Sequence, residues 1–296
     1  MDRTEELSEF LRSRRARITP EEAGVGAGPG VRRVPGLRRE EVARLAGINV
    51  DYYVRLERGR NLNASEAVLD AVARALRLDA TERAHLFTLA RPKPFRGSGR
   101  PRPLPPQRVR PAMYRVLEAL EPKPAMITGR RMDVLAANRT ARAMYTDFDA
   151  LPHRERNFAR FVFLDENARS LFTDWRRNAA DVVAVLHLYS GRHACDPQLA
   201  ELIGELSLRS PEFRTWWADH NVHQHTHGTK QFHHPVVGRM TLSYETLAVM
   251  GDQDQTLTVY TAEPASASEA ALDLLASWTG GTAPHPAPAY ERPGGA

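Results

Sequence analysis

Between Leu37 and Gly59 the apolar positions fall three and four apart in two short runs separated by a glycine, the pattern of two helices joined by a tight turn. In the first run Val42 and Leu45 are spaced to share a face, and Glu40 and Glu41 stand in the first turn, where the helix dipole favours acids. Gly47 supplies a left-handed exit, and Asn49 or Asp51 a side-chain oxygen to cap the next helix. In the second run Tyr53 and Leu56 face a core, leaving Val50, Asp51, Arg55 and Arg58 on other faces. Before this pair, Leu7, Phe10, Leu11 and Ile18 predict a helix whose other side carries Arg12, Arg14, Arg15 and Arg17. Thr19-Pro20-Glu21-Glu22 has the form of a further capped start, cut off by the glycines and Pro35 of a loop over 24–36. After Gly59, Ser65 caps a stripe of Val68, Leu69, Val72, Ala73 and Leu76, and Leu86, Phe87 and Leu89 predict a fifth helix over 81–90.

The period is lost over 92–111, a Pro- and Arg-rich linker, and then changes. A helix is expected at 113–120, and PAMITGRRMDVLAAN predicts a hairpin turning at Gly129-Arg130. Helices follow at about 138–144, 158–164, 174–188, 197–208 and 212–220. HPVVGRMTLSYETLAVM and TLTVYTAE, rich in Val, Thr, Leu and Tyr and separated by GDQDQ, predict antiparallel strands before a closing helix over 267–278. The expected fold is an all-α helix-turn-helix domain of five helices over 1–91, then an α+β PAS-like domain with an antiparallel sheet over 112–279. Residues 280–296 read as a disordered tail. A sheet drawn from both ends of a domain, with helices between, holds a small ligand between its layers.

Charge sharpens the division. The net charge of +5 is the sum of +9 over residues 1–110 (23 basic, 14 acidic) and −4 over the remainder (18 basic, 22 acidic). The helix-turn-helix lies in the basic part, and an excess of cations is what affinity for phosphates requires. Arg32 and Arg33 in the loop fit a DNA backbone or plain solvation equally well. Cys195 is the sole cysteine, which excludes an intramolecular disulfide and a cysteine zinc cluster. No apolar run reaches the ~20 residues of a membrane helix and MDRTEELSEF has no signal-peptide core, so a cytoplasmic protein is expected, without a membrane partner.

The run LRREEVARLAGINVDYYVRLERG resembles the lambda-repressor-like, xenobiotic-response-element type of bacterial regulator. That resemblance implies base reading by Asn49, Val50, Asp51 and Arg55, with Arg39, Tyr52 and Arg58 beside the DNA backbone or the recognition surface. Arg39 stands where many relatives carry Gln, and Val50 can meet only a thymine methyl. Together with VLDAVARALRLDATERAHLFTLA, the block at 119–142 and the motifs NFARFVFLDENAR, GELSLRSPEFRTWWADHNV, GTKQFHHPVVGRMTL and DQTLTVYTAEP, the chain resembles MmyB-like regulators of actinobacterial type over nearly its full length. The resemblance implies a homodimeric regulator that binds a double-stranded operator and senses a small amphiphilic effector, a fatty acid among the candidates.

Arg209, Trp216 and His220 are the ligand candidates: Arg209 and Trp216, seven apart, would share a helical face and offer a cation beside aromatic walls to a carboxylate. The bland counterpart is an Arg held by Glu205 or Glu212 with the tryptophans as packing. His220, His223, His225, His227, His233 and His234 raise a zinc reading, and with it a metal-dependent hydrolase, but Gly228 and the lack of a metal motif weigh against a metal. No catalytic or nucleotide-binding motif is present, so neither an enzyme nor a cofactor is expected. The other alternative is a DNA-binding regulator whose second domain only dimerises or binds a protein.

Overall fold

The computed structural model describes residues 3–25, 36–60, 64–91, 105–193, 196–222, 226–252 and 254–279. Arg32, Arg33, Cys195, His223, His225, most of the linker and the tail lie outside them.

The N-terminal region is helical: α1 (Arg3–Arg17), α2 (Arg39–Ala46), α3 (Val50–Glu57), α4 (Glu66–Ala75) and α5 (Ala80–Ala90). Gly47 ends α2 at φ 66°, and the Asn49 side chain accepts from Asp51 N at 2.7 Å to start α3. Thr19 and Glu22 do exchange reciprocal cap bonds, but these close a single turn. Two sequence expectations change. Leu45 is 40% exposed; Ala43 and Ala46 fill the core beside Val42. Arg14 and Arg15, expected on the solvent side of α1, are buried, because acids from other helices meet them: Glu82 at 3.2 Å from Arg14 and Glu57 at 3.0 Å from Arg15.

The second region starts with α6 (Pro111–Ala119), β1 (Ala125–Thr128), β2 (Val134–Ala137) and α7 (Arg139–Met144). Helices α8 (Phe158–Leu164), α9 (Glu166–Leu171), α10 (Trp175–Arg192), α11 (Pro197–Arg209) and α12 (Pro211–Ala218) follow. The chain returns to the sheet through β3 (His227–His234), β4 (Gly238–Ala248) and β5 (Thr256–Thr261), and ends in α13 (Ala267–Thr279). The five-stranded sheet has the order β2-β1-β5-β4-β3, every pair antiparallel. The β1–β2 connection is longer than a two-residue hairpin: a tight 3₁₀ turn at Arg130–Met132 carries Arg131 at φ 55°.

Strand periodicity divides the sheet into two faces. Ala125, Ile127 and Leu257 pack with Leu117 of α6 on one. Met126, Phe232, Met240, Leu242, Tyr244 and Tyr260 face the main core on the other, against Phe158, Phe161, Val182 and Leu186 of α8 and α10. Helix α10 is central: it meets α8, α9 and α12, and its C-terminal end meets α5.

That end joins the two regions. Leu188 and Val222 are buried in the same apolar cluster as Phe10 and Leu89. Arg3 donates to Gly191 O at 3.1 Å, Ser190 donates to the Glu6 carboxyl, and His220 Nε2 lies 2.6 Å from Glu9 Oε2. Arg14 donates to His220 O, and also to Asn221 Oδ1 at 3.3 Å.

Glu6 is almost wholly removed from water, and among the described residues one of its oxygens has no hydrogen-bond partner. Burial pushes its carboxyl up to about 7 against the opposing pull of Ser190 and Arg3. Because the folded value is raised, the contribution is complete below the ordinary 4.5, declines as pH rises, and is lost above about 7. The span is on the order of 3 kcal/mol. Glu6→Gln should therefore flatten the decline in urea-unfolding stability across this window; an unaltered slope would contradict the assignment.

Candidate functional site

Two surfaces stand out among the described residues: the outward side of α3 and a cavity under the sheet. Tyr53 and Leu56 anchor α3 in the core, which turns Val50, Asp51, Arg55 and Arg58 outward. Among the described residues the side chains of Arg55 and Arg58 have no hydrogen-bond or ion-pair partner, so their guanidinium donors are open to an incoming acceptor. Asn49 spends its oxygen on the cap, and Tyr52 lies half-buried against the helical core. Arg39 is already engaged: its Nε donates to Glu57 Oε2 at 2.8 Å, although the side chain remains 44% exposed. Glu57, buried at the end of α3, thus clamps the helix to both Arg15 of α1 and Arg39 of α2.

The cavity, about 240 Å³, lies between the inner sheet face and α10. Met126, Phe158, Val182, Val185 and Leu186 give it apolar walls. Across the sheet, Thr128 pairs with Thr256 at 2.9 Å and Thr246 with Thr258 at 3.2 Å, forming a polar strip whose hydroxyls satisfy one another. The β1–β2 turn places Arg130 and Arg131 at one side. Arg131 is held by Asp133 and Asp196, each at 2.7 Å, and Tyr189 donates to Asp196 at 2.8 Å. Burial alone would raise the Asp196 carboxyl, but hydrogen bonds from Arg131 and Tyr189 outweigh it and hold it below the usual range. Lys230 of β3 points into the same space, 5.0 Å from the centre of the Tyr244 ring and 3.9 Å from Asp181. Burial lowers the Lys230 ammonium, with the Asp181 charge opposing.

None of Arg209, Trp216 and His220 lines this cavity. Ser210 takes an extended conformation before Pro211, ending α11 and capping α12, so Arg209 and Trp216 stand on different helices rather than on one face. Arg209 is exposed and bound to Glu205 at 3.1 Å. Trp216 packs on Phe163 and Trp175, and His220 sits at the junction of the two regions. The histidines are also dispersed. His234 bonds Ala143 O at 3.0 Å, while His227 and His233 are exposed on β3. Among the described residues no group of His, Cys, Asp and Glu is arranged to hold a metal ion. Lys230, Asp181 and Tyr244 escaped the sequence reading. Their signal was a single lysine in the inward register of a strand whose next inward residues are Phe232 and His234.

A helix-turn-helix whose outward face carries Arg55 and Arg58, followed by a sheet-and-helix domain with an internal cavity, has the layout of a ligand-responsive regulator. Comparison agrees. Residues 6–86 match a helix-turn-helix domain, and residues 109–275, more than half of the chain, match the MmyB-like transcription regulator ligand binding domain. The chain belongs to the MmyB-like transcription regulator family. No curated protein matches it. Both matched families are those of transcription regulators, not of enzymes. No helix among the described residues is long and apolar enough to cross a membrane.

Proposed function

We propose that the chain is a homodimeric, cytoplasmic transcription regulator in which a small amphiphile bound under the sheet of a PAS-like domain (112–279) alters operator binding by the domain at 1–91. The observation that carries this reading is the placement of α10. Val182, Val185, Leu186 and Leu188 line the cavity, and the same helix is packed against α1 and α5 through Leu188, Ser190 and Gly191. The strand order, with strands from both ends of the domain in one sheet, supports the PAS-like description. The cavity is somewhat smaller than the ~300–1,000 Å³ common for ligand sites, which favours a compact effector such as a medium-chain fatty acid over a long one.

On the DNA side, Arg55 reads a base, with guanine preferred because its O6 and N7 accept both arms of a guanidinium. Asn49, Val50 and Asp51, at the start of the helix whose last turn carries Arg55, are assigned to the same bases, and Arg39, Tyr52 and Arg58 to the phosphates. Arg55→Ala should cost ~1–3 kcal/mol on a duplex selected from a random library and little on unselected DNA, measured by fluorescence anisotropy. Equal losses on both would leave Arg55 a phosphate contact. A single short recognition helix reads few bases, so the selected site should contain two half-sites about one helical turn apart, bound by a dimer.

A further inference from the structure

A second hollow lies away from the sheet, in the crevice where α5 of the N-terminal region meets the C-terminal end of α10. It encloses about 290 Å³, close to the lower end of the ~300–1,000 Å³ of small-molecule sites. Burial grades its lining. His85 and Leu188, 4% and 8% exposed, form the floor, Thr81 and Thr88 are half-buried, and Ala84 and Arg192 stand exposed at the mouth. Among the described residues no hydrogen bond reaches the His85 imidazole. Burial, with Arg14, His220 and Arg192 nearby, drives it down to about 3, so the ring is neutral and offers one donor and one acceptor. Leaving both unused in a buried place costs free energy that a bound partner recovers. The Thr81 hydroxyl is equally unbonded among the described residues, and Thr88 donates to Ala84 O at 2.9 Å with its lone pairs left over. At the mouth Arg192 has no partner among the described residues, and no carboxylate lines the crevice. The neighbouring acids of α5 are committed: Asp79 accepts from Glu82 N at 2.8 Å, and Glu82 holds Arg14 at 3.2 Å and Arg17 at 2.8 Å.

We infer that this crevice is a second small-molecule site, for a compact hydroxy acid whose carboxylate meets Arg192 at the mouth and whose hydroxyl reaches His85 at the floor. Its apolar body lies on Ala84 and Leu188. Arg192 and Leu188 belong to α10, His85 and Ala84 to α5, so the ligand bridges the two regions and holds them together. The site stands whether or not the cavity under the sheet takes an effector, although Arg192 and Leu188 border that cavity too.

The test is calorimetric titration of full-length protein, stripped of copurified lipid, with 4-hydroxybenzoate, its methyl ester and benzoate. The wild type should bind the hydroxy acid saturably and at least about tenfold more tightly than the ester, as a hydrogen bond to a charged group implies. It should exceed benzoate about three- to tenfold, the worth of one neutral hydrogen bond. Arg192→Gln, a change at an exposed position that the fold tolerates, should bind acid and ester alike. Ala84→Trp fills the crevice from an exposed position of α5 that does not line the cavity under the sheet, and should bind none of the three. Saturating decanoate, a medium-chain acid that probes the cavity, should leave 4-hydroxybenzoate bound. A wild type without saturable binding, or binding that survives in Ala84→Trp, overturns the site, as does simple competition with decanoate, which would put the probe under the sheet. An ester as tight as the acid, or an Arg192→Gln protein that keeps the preference, overturns the carboxylate contact. Benzoate as tight as the hydroxy acid overturns the contact with His85.

Discussion

Glu57→Ala is expected to remove about 3–5 kcal/mol of stability, the loss typical of breaking a buried ion pair from one side. The Glu57 carboxylate is almost wholly enclosed, with one oxygen 3.0 Å from Arg15 Nη2 and the other 2.8 Å from Arg39 Nε. Arg15 also donates to Leu37 O at 2.7 Å, so it cannot swing out to water without breaking the approach to α2. Removing Glu57 leaves the buried Arg15 guanidinium uncompensated and frees the end of the recognition helix. Against a total of ~5–15 kcal/mol for a typical domain, the loss brings the helix-turn-helix close to unfolding. Glu57→Gln, which keeps the shape and one acceptor, should cost less. Urea denaturation followed by circular dichroism measures both; a loss under ~1 kcal/mol for the alanine variant, the size of a surface pair, would contradict the clamp.

Gly191→Val should uncouple the two regions while leaving each folded. A Cβ at Gly191 would lie 2.6 Å from His85 Cε1, a distance real contacts do not reach, so α10 and α5 must part. His85 is buried against Phe10, and burial drives its imidazole down to about 3, so it is neutral at physiological pH and offers no charge to compensate. The variant should retain decanoate binding and operator binding when each is measured alone, but the change in operator affinity on adding decanoate should shrink toward nothing. A Gly191→Val protein that responds to decanoate as the wild type does would place the coupling elsewhere than on α10.

Most helices could be read in advance because their stripes and caps are local: Asn49, Ser65 and Asp79 each bond a backbone amide of the helix they open. The strands β1, β2, β4 and β5 were visible through β-branched alternation. Strand β3 was hidden, since four of its eight inward and outward positions are His or Lys and only Phe232 and His234 are buried along it. Helix α9 was missed because its six residues bury only Ala168 and Leu171 and so show no apolar stripe. The helix-turn-helix was legible because its two helices, turn and caps are contiguous in sequence. The cavity was not: Arg131, Asp181, Lys230 and Tyr244 come from four separate elements, and only the sheet register brings the last two together. Arg209 misled for the opposite reason. It is cationic and near tryptophans in sequence, yet Pro211 breaks the helix between them and Glu205, one turn back, satisfies it.

Under the proposed function, occupancy of the cavity and affinity for the operator should form one thermodynamic system. A ligand that favours one of two states must shift the other site by the same coupling free energy. The direct measurement is operator affinity of the wild-type chain, by fluorescence anisotropy at fixed salt, with and without saturating decanoate, on protein stripped of lipid. The expected result is a change of at least about fivefold, as for a coupling of ~1 kcal/mol or more, matched by an equal change in decanoate affinity when operator is present. Identical operator affinities in the two conditions, with decanoate demonstrably bound, would contradict it.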